Sequence, residues 1–245
     1  TEKLIKNAVQ MHLFDRCEEP RFFHELKLIL DEDDPLPALK RMAAFKLFPF
    51  LWPDLRPNLK IDRRFLHLLT QANQAIAWFR LLYLPEPVET WMVYLLAILS
   101  RSRTKELISF CNRFALPPKQ RRKLIQQKTE VEKIAQAMHQ RASLKPSEIY
   151  WLLSDLQPEG WLHLMTMARK RYIQQAVSLF VTQLRKVRPL VSGEELKTMG
   201  YIPGPQFRAM LNHLIERQLD GEITSQQQAI DFIRASYPIL PRSRQ

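Results

Sequence analysis

The chain has 245 residues, 46% apolar and 25% charged, with 37 lysines and arginines against 25 acids and a formal net charge of +12. Such a composition excludes a disordered chain, allows one large domain or two to three small ones, and favours a polyanionic partner, nucleic acid before an acidic membrane surface. Two distant cysteines, Cys17 and Cys111, without a CxxC exclude a disulfide framework and point to a reducing, cytoplasmic compartment.

In chain order, TEKLIKNAV (1–9) and RFFHELKLIL (21–30) read as helices. Because the chain opens at Thr1 inside a helical pattern, it is expected to be part of a longer protein, and no signal peptide is visible. Asp31-Glu32-Asp33-Asp34 falls between two amphipathic stretches, with Asp34-Pro35 as an N-cap before a first-turn proline. In 62–83, Phe65, Leu68, Leu69, Ala72, Ile76, Phe79 and Leu82 recur at three- and four-residue steps behind Asp62 as N-cap. WMVYLLAIL (91–99) is the longest strongly apolar run and is too short to span a bilayer, so no membrane partner is expected. Residues 119–141 repeat the helical period through Leu124, Val131, Ile134, Ala135 and Met138, and Lys145-Pro146-Ser147-Glu148 opens EIYWLLSDL.

The end of the chain is glycine-rich by its own standard. The first 159 residues hold no glycine, and four of the five glycines lie in 192–224. Ser192 with Glu195, and Thr224 with Gln227, fit the capping box. Gly200 fits a helix C-terminus needing positive φ, Pro203-Gly204-Pro205 a tight turn with Pro205 opening a helix, and Asp220-Gly221 the end of that helix. Phe207, Met210, Leu211, Leu214 and Ile215 form its apolar face. Prolines at 35, 37, 49, 53, 57, 85, 87, 117, 118, 146, 158 and 189 punctuate the rest, and no strand alternation is found. The fold expected is all-α, an elongated array of about ten to twelve short helices.

No catalytic and no metal-ligating residue is assigned. The acidic run is read as cap and turn, since a two-metal site needs rigidly held carboxylates, usually on or beside strands. The six histidines lack metal-ligand spacing, with His139 and His213 expected on helix surfaces. IPGPQF lacks the lysine and preceding strand of a P-loop. The positive evidence is basic: Arg101, Arg103, Lys105, Arg113, Lys119, Arg121, Arg122 and Lys123 with only Glu106 against them, then Arg169, Lys170, Arg171, Arg185, Lys186 and Arg188. Such clusters suit successive phosphates, although any one of these residues alone reads as a solvated helix face. Trp151, Trp161, Tyr150 and Tyr172 suit base stacking or, at helical spacing beside Leu and Met, a core. The amides after Pro205, beside Gly204, suit a phosphate or only a packed turn.

LVSGEELKTMGYIPGPQFRAMLNHLIERQLDGEITSQQQAIDFI (190–233) resembles the C-terminal module of class II tRNA nucleotidyltransferases and bacterial poly(A) polymerases, with Gly-x-x-Pro-Gly-Pro and a helix ending in Leu-Asp-Gly. TEKLIKNAV with RFFHELKLIL resembles the family's neck, and Arg21 with Glu25 match its Arg-x-x-x-Glu motif; ALKRM to LWPDL, then LKPSEIYWLLSDL, are also similar. The resemblance implies an end of neck at 1–60, body helices at 61–145, body-to-tail helices at 146–190 and a tail module at 191–245. It implies that Arg21 and Glu25 support a helix turn in the neck. It further implies that these helices hold tRNA while an N-terminal catalytic head, expected outside this chain, carries out the chemistry with magnesium and ATP or CTP. Where the family often has glycine three residues after the second proline, this chain has Arg208, a candidate phosphate contact.

Two functions follow as expectations. One is the tRNA-binding part of an enzyme adding CCA, or only C or A, to tRNA 3′ ends, itself catalytically inactive. The other is a helical scaffold without RNA contact, with apolar surface exposed near residues 1–30. Which nucleotides are added is not legible in these residues.

Overall fold

A computed structural model describes residues 2–13, 19–48, 62–141 and 143–239. Cys17, the LWPDL segment and the prolines at 49, 53 and 57 lie outside them. Among the described residues there are thirteen α-helices and no strand. They are α1 Glu2–Gln10, α2 Glu19–Leu30, α3 Leu36–Ala44, α4 Arg63–Arg80, α5 Thr90–Ile98, α6 Thr104–Arg113 and α7 Pro118–His139. There follow α8 Pro146–Leu153, α9 Pro158–Met167, α10 Arg171–Thr182, α11 Gly193–Thr198, α12 Pro205–Leu219 and α13 Gln226–Ser236.

The chain divides into two compact units that alternate in sequence: 1–141 with 156–174, and 142–155 with 175–245. In the first, α5 is the core. Every residue from Trp91 to Leu99 is buried, because α2, α4, α7 and α9 pack around it. A helix apolar on all sides has no solvent face to offer, and each large side chain buried contributes about 1.5–3 kcal/mol. Phe23 meets Trp91 and Phe110 edge-on at 6.0 and 5.7 Å, and Phe110 lies 4.7 Å from Phe114.

The acidic run is a set of helix ties. Asp31 Oδ1 accepts from Trp91 N and Thr90 Oγ1, both at 3.1 Å, and so caps α5 from a distance. Asp33 pairs with Arg80 at 3.0 Å. Asp34 accepts from Leu36 N at 3.3 Å and from Asn73 Nδ2 at 2.9 Å. No group of three or more His, Cys, Asp or Glu among the described residues is placed to hold a metal. No helix among them is long and apolar enough to cross a membrane.

In the second unit Val191, Leu196, Met210, Leu214, Ile223, Ala229 and Ile233 form the core. Ser147 donates from both N and Oγ to Asp220 at 2.9 and 2.8 Å, fixing α8 to the end of α12. Ser192 and Glu195 form the capping box as expected. The next box sits one residue later than expected, at Ser225 and Gln228: Gln228 Oε1 accepts from both Thr224 N and Ser225 N, so α13 starts after Ser225. Gly200 and Gly221 take φ of +96° and +74°, each closing a helix with a backbone bond that reaches five residues back, Tyr201 N to Leu196 O and Glu222 N to Arg217 O.

Candidate nucleic-acid interface

The first unit's basic residues occupy different environments. Arg101 donates two hydrogen bonds to Asp62, the N-cap of α4, at 3.0 and 3.2 Å. This pairing holds the Asp62 carboxyl below its usual range, with the Phe65 amide helping. Arg113 pairs with Glu19 at 2.8 Å. Lys123 pairs with Glu89 and with buried Glu159. Burial pulls its ammonium down, but the bonds to the two carboxylates outweigh burial, so the group stays above the ordinary lysine value. Arg101, Arg113 and Lys123 therefore hold helices together.

Lys119, Arg121 and Arg122 differ. They make no ion pair with a described carboxylate; Lys119 and Arg122 are exposed and Arg121 is half-buried. The first turn of α7 presents them because Pro118, at the first helical position, starts the helix there. Lys119, Arg122 and Lys123 line a cleft of about 570 Å³ with Gln120, Gln126, Gln157 and Glu89. Arg121 and Arg122 line a second of about 510 Å³ with Leu116, Pro118, Ile125 and Gln126. Arg103 and Lys105 are exposed at the start of α6. Arg169 and Lys170 are exposed between α9 and α10 and Arg171 at the first position of α10, and Lys170 Nζ donates to the His139 carbonyl at 2.9 Å. Their backbone is tied there by Tyr172, whose hydroxyl donates to the Arg141 carbonyl at 3.1 Å.

In the second unit, Lys186 and Arg188 are exposed, and Arg185 is half-buried with Nε donating to the Val181 carbonyl at 2.9 Å. Gln218 fixes this loop, accepting from Leu190 N at 2.9 Å and donating to Arg188 O at 3.1 Å. Gly204 is the N-cap of α12, in extended backbone with open space where a Cβ would stand, and Arg208 is exposed one turn into the helix. Arg21 and Glu25 stand exposed on α2 in the first unit.

The four candidate aromatics divide. Trp161 is buried, Tyr150 packs edge-on against Phe180 at 6.1 Å, Tyr172 is half-buried, and Trp151 is 37% exposed. His139 and His213 are half-buried rather than on open helix surfaces. His139 Nδ1 bonds the Ala135 carbonyl at 2.6 Å, and His213 Nδ1 lies 3.2 Å from the Tyr237 hydroxyl. Position in the chain did not reveal the second cleft, whose floor joins Leu116, before α7, to Pro118 and Ile125 within it.

The chain is 38% identical over 228 residues to an A-adding tRNA nucleotidyltransferase of Geobacter sulfurreducens, covering 91% of this chain and 25% of that protein. This chain is a relative of the tRNA nucleotidyltransferases. An A-adding tRNA nucleotidyltransferase of Aquifex aeolicus is 25% identical over 201 residues, 82% of this chain and 23% of that one. The chain thus spans about a quarter of the length of both relatives. The fold is that of part of a Thermotoga maritima CCA-adding enzyme complexed with tRNA, with a TM-score of 0.77, 22% identity, 96% of this chain covered and 55% of the other. A CCA-adding enzyme with CTP gives 0.74 at 23% identity, over 97% of this chain and 55% of that one. No family model matches the chain.

Proposed function

We propose that this chain is the tRNA-holding part of a tRNA nucleotidyltransferase, and that its parent adds A to tRNA 3′ ends; the two curated relatives named above are each called an A-adding tRNA nucleotidyltransferase. The observation that carries the reading is the start of α7, where Lys119, Arg121 and Arg122 present cations that form no ion pair with a described carboxylate. Phosphate contacts position RNA without reading its sequence, and an A-form acceptor stem is held by shape. Arg169, Lys170, Arg171, Lys186, Arg188 and Arg208 extend the surface within their own units. The chemistry belongs to a separate nucleotide- and magnesium-binding head, in the cytoplasm; no described residue here is assigned to it.

Charge reversal tests this directly. Lys119→Glu, Arg121→Glu and Arg122→Glu together should weaken tRNA binding by about tenfold or more and lower its salt slope by about two to three. Unchanged tRNA affinity in the folded variant contradicts the reading.

A scaffold role coexists, favoured by one observation. Leu4, Met11, Leu13 and Leu28 are 71, 68, 41 and 53% exposed, apolar surface in the region where a catalytic head would dock.

A further inference from the structure

The two clefts on α7 are neighbouring stripes of one helix. Pro118, Arg121, Arg122, Ile125 and Gln126 recur at steps of three and four; so do Lys119, Arg122, Lys123 and Gln126. Arg122 and Gln126 belong to both stripes and form the ridge between the clefts. On one side the floor is apolar, made by Leu116, Pro118 and Ile125, with Arg121 beside it. The other side is polar, carrying Lys119, Gln120, Gln157 and the Lys123–Glu89 pair.

We infer that this ridge seats one unpaired nucleotide of RNA, its base in the apolar recess and its sugar and phosphate in the polar cleft. The inference deepens the tRNA-binding reading and rests on it. Few ligands join a flat, weakly polar body to an anion across the width of a single side chain, and a nucleotide is one. Each recess, about 510 and 570 Å³, falls in the range of small-ligand sites. A guanidinium is planar and weakly hydrated, so Arg121 and Arg122 can stack on a base whose other face meets Pro118 and Ile125. Lys119 and Arg122 take the phosphate at the rim. Glu89 repels phosphate but accepts from a hydroxyl, so the ribose belongs beside it, and its 2′-hydroxyl supplies a preference for RNA over DNA. A base inside a duplex shows no open face to such a recess; the nucleotide must be unpaired.

The test uses the intact chain and two charge-neutral variants, which a purely electrostatic surface would not register. Ile125→Asn makes the recess floor polar. Arg121→Lys keeps the charge and loses the plane. Probes are full-length tRNA, a labelled single-stranded RNA hexamer, DNA of the same sequence, blunt duplex RNA and an acidic peptide containing leucine; circular dichroism and Tm check folding. Expected is a loss of hexamer affinity of about tenfold in Ile125→Asn and a smaller loss in Arg121→Lys, with duplex RNA affinity unchanged, and RNA favoured over DNA by the wild type. Equal effects on hexamer and duplex, no effect on either, or displacement of the hexamer by the peptide would overturn the site while leaving the tRNA-binding reading intact. A wild-type chain that does not bind tRNA overturns both.

Discussion

Lys123 Nζ lies 3.0 Å from Glu159, whose side chain is 1% exposed, and the same carboxylate accepts from Glu89 N at 2.8 Å. The pair joins α7 to α9 and to the turn before α5. It gives Lys123 a role unlike that of Lys119 and Arg122 on the same helix. Lys123→Met is expected to lower stability by about 2–4 kcal/mol, because it leaves a buried carboxylate without its cation. Urea unfolding measures this, and tRNA affinity at a temperature where the variant is folded should stay within about threefold of wild type.

His163 is buried on α9, and burial, with the nearby Lys128 charge, depresses its pKa to about 3. In the unfolded chain it titrates near the ordinary value. Between about pH 6.5 and 3 the unfolded state therefore binds a proton that the folded state refuses, and stability falls as pH falls. The slope from this group is at most about 1.4 kcal/mol per pH unit. His163→Gln should flatten the decline of unfolding free energy between pH 6.5 and 5, whatever its absolute stability.

Gly160 is the one glycine outside the 192–224 segment, and it has a packing reason. A Cβ there would stand 2.1 Å from Gln127 Oε1, which accepts from Gln157 N at 3.1 Å. Gly160→Ala should cost about 1–3 kcal/mol. Adding Gln127→Ala should recover part of the loss, a coupling that a double-mutant cycle by urea unfolding reads.

The glycine-free part of the chain closes helices with other residues. Ala115, at φ +48°, follows α6 where Leu116 N bonds back to Cys111 O, and Lys46, at φ +58°, follows α3 where Leu47 N bonds to Met42 O. These are glycine positions held by residues that pay strain. Ala115→Gly should raise stability by about 0.5–1 kcal/mol, seen as a higher Tm.

What the sequence made legible was what is local. Asp62 as cap of α4, the Ser192–Glu195 box and the glycine ends at 200 and 221 depend on residues within one turn of each other. The box at 225 was missed by one residue because Thr224 and Ser225 both stand three before a glutamine, and only the bonds to Gln228 choose between them. His12, Lys46, Tyr83 and Ala115 as left-handed residues had no compositional signal. The acidic run reads as cap and turn, yet its tie to Trp91 spans 60 residues. For the candidate site, counting cations along the chain points to α7 but ranks Lys123 with its neighbours. Its partner Glu159 lies 36 positions away, on a helix that no charge count connects to it.

The central claim is that these helices hold tRNA. The most direct measurement is a titration of the chain with tRNA lacking its CCA end at two salt concentrations, with duplex DNA of equal length as competitor. The account predicts binding that prefers tRNA and weakens steeply with salt. No binding, salt-insensitive binding, or equal affinity for DNA would contradict it.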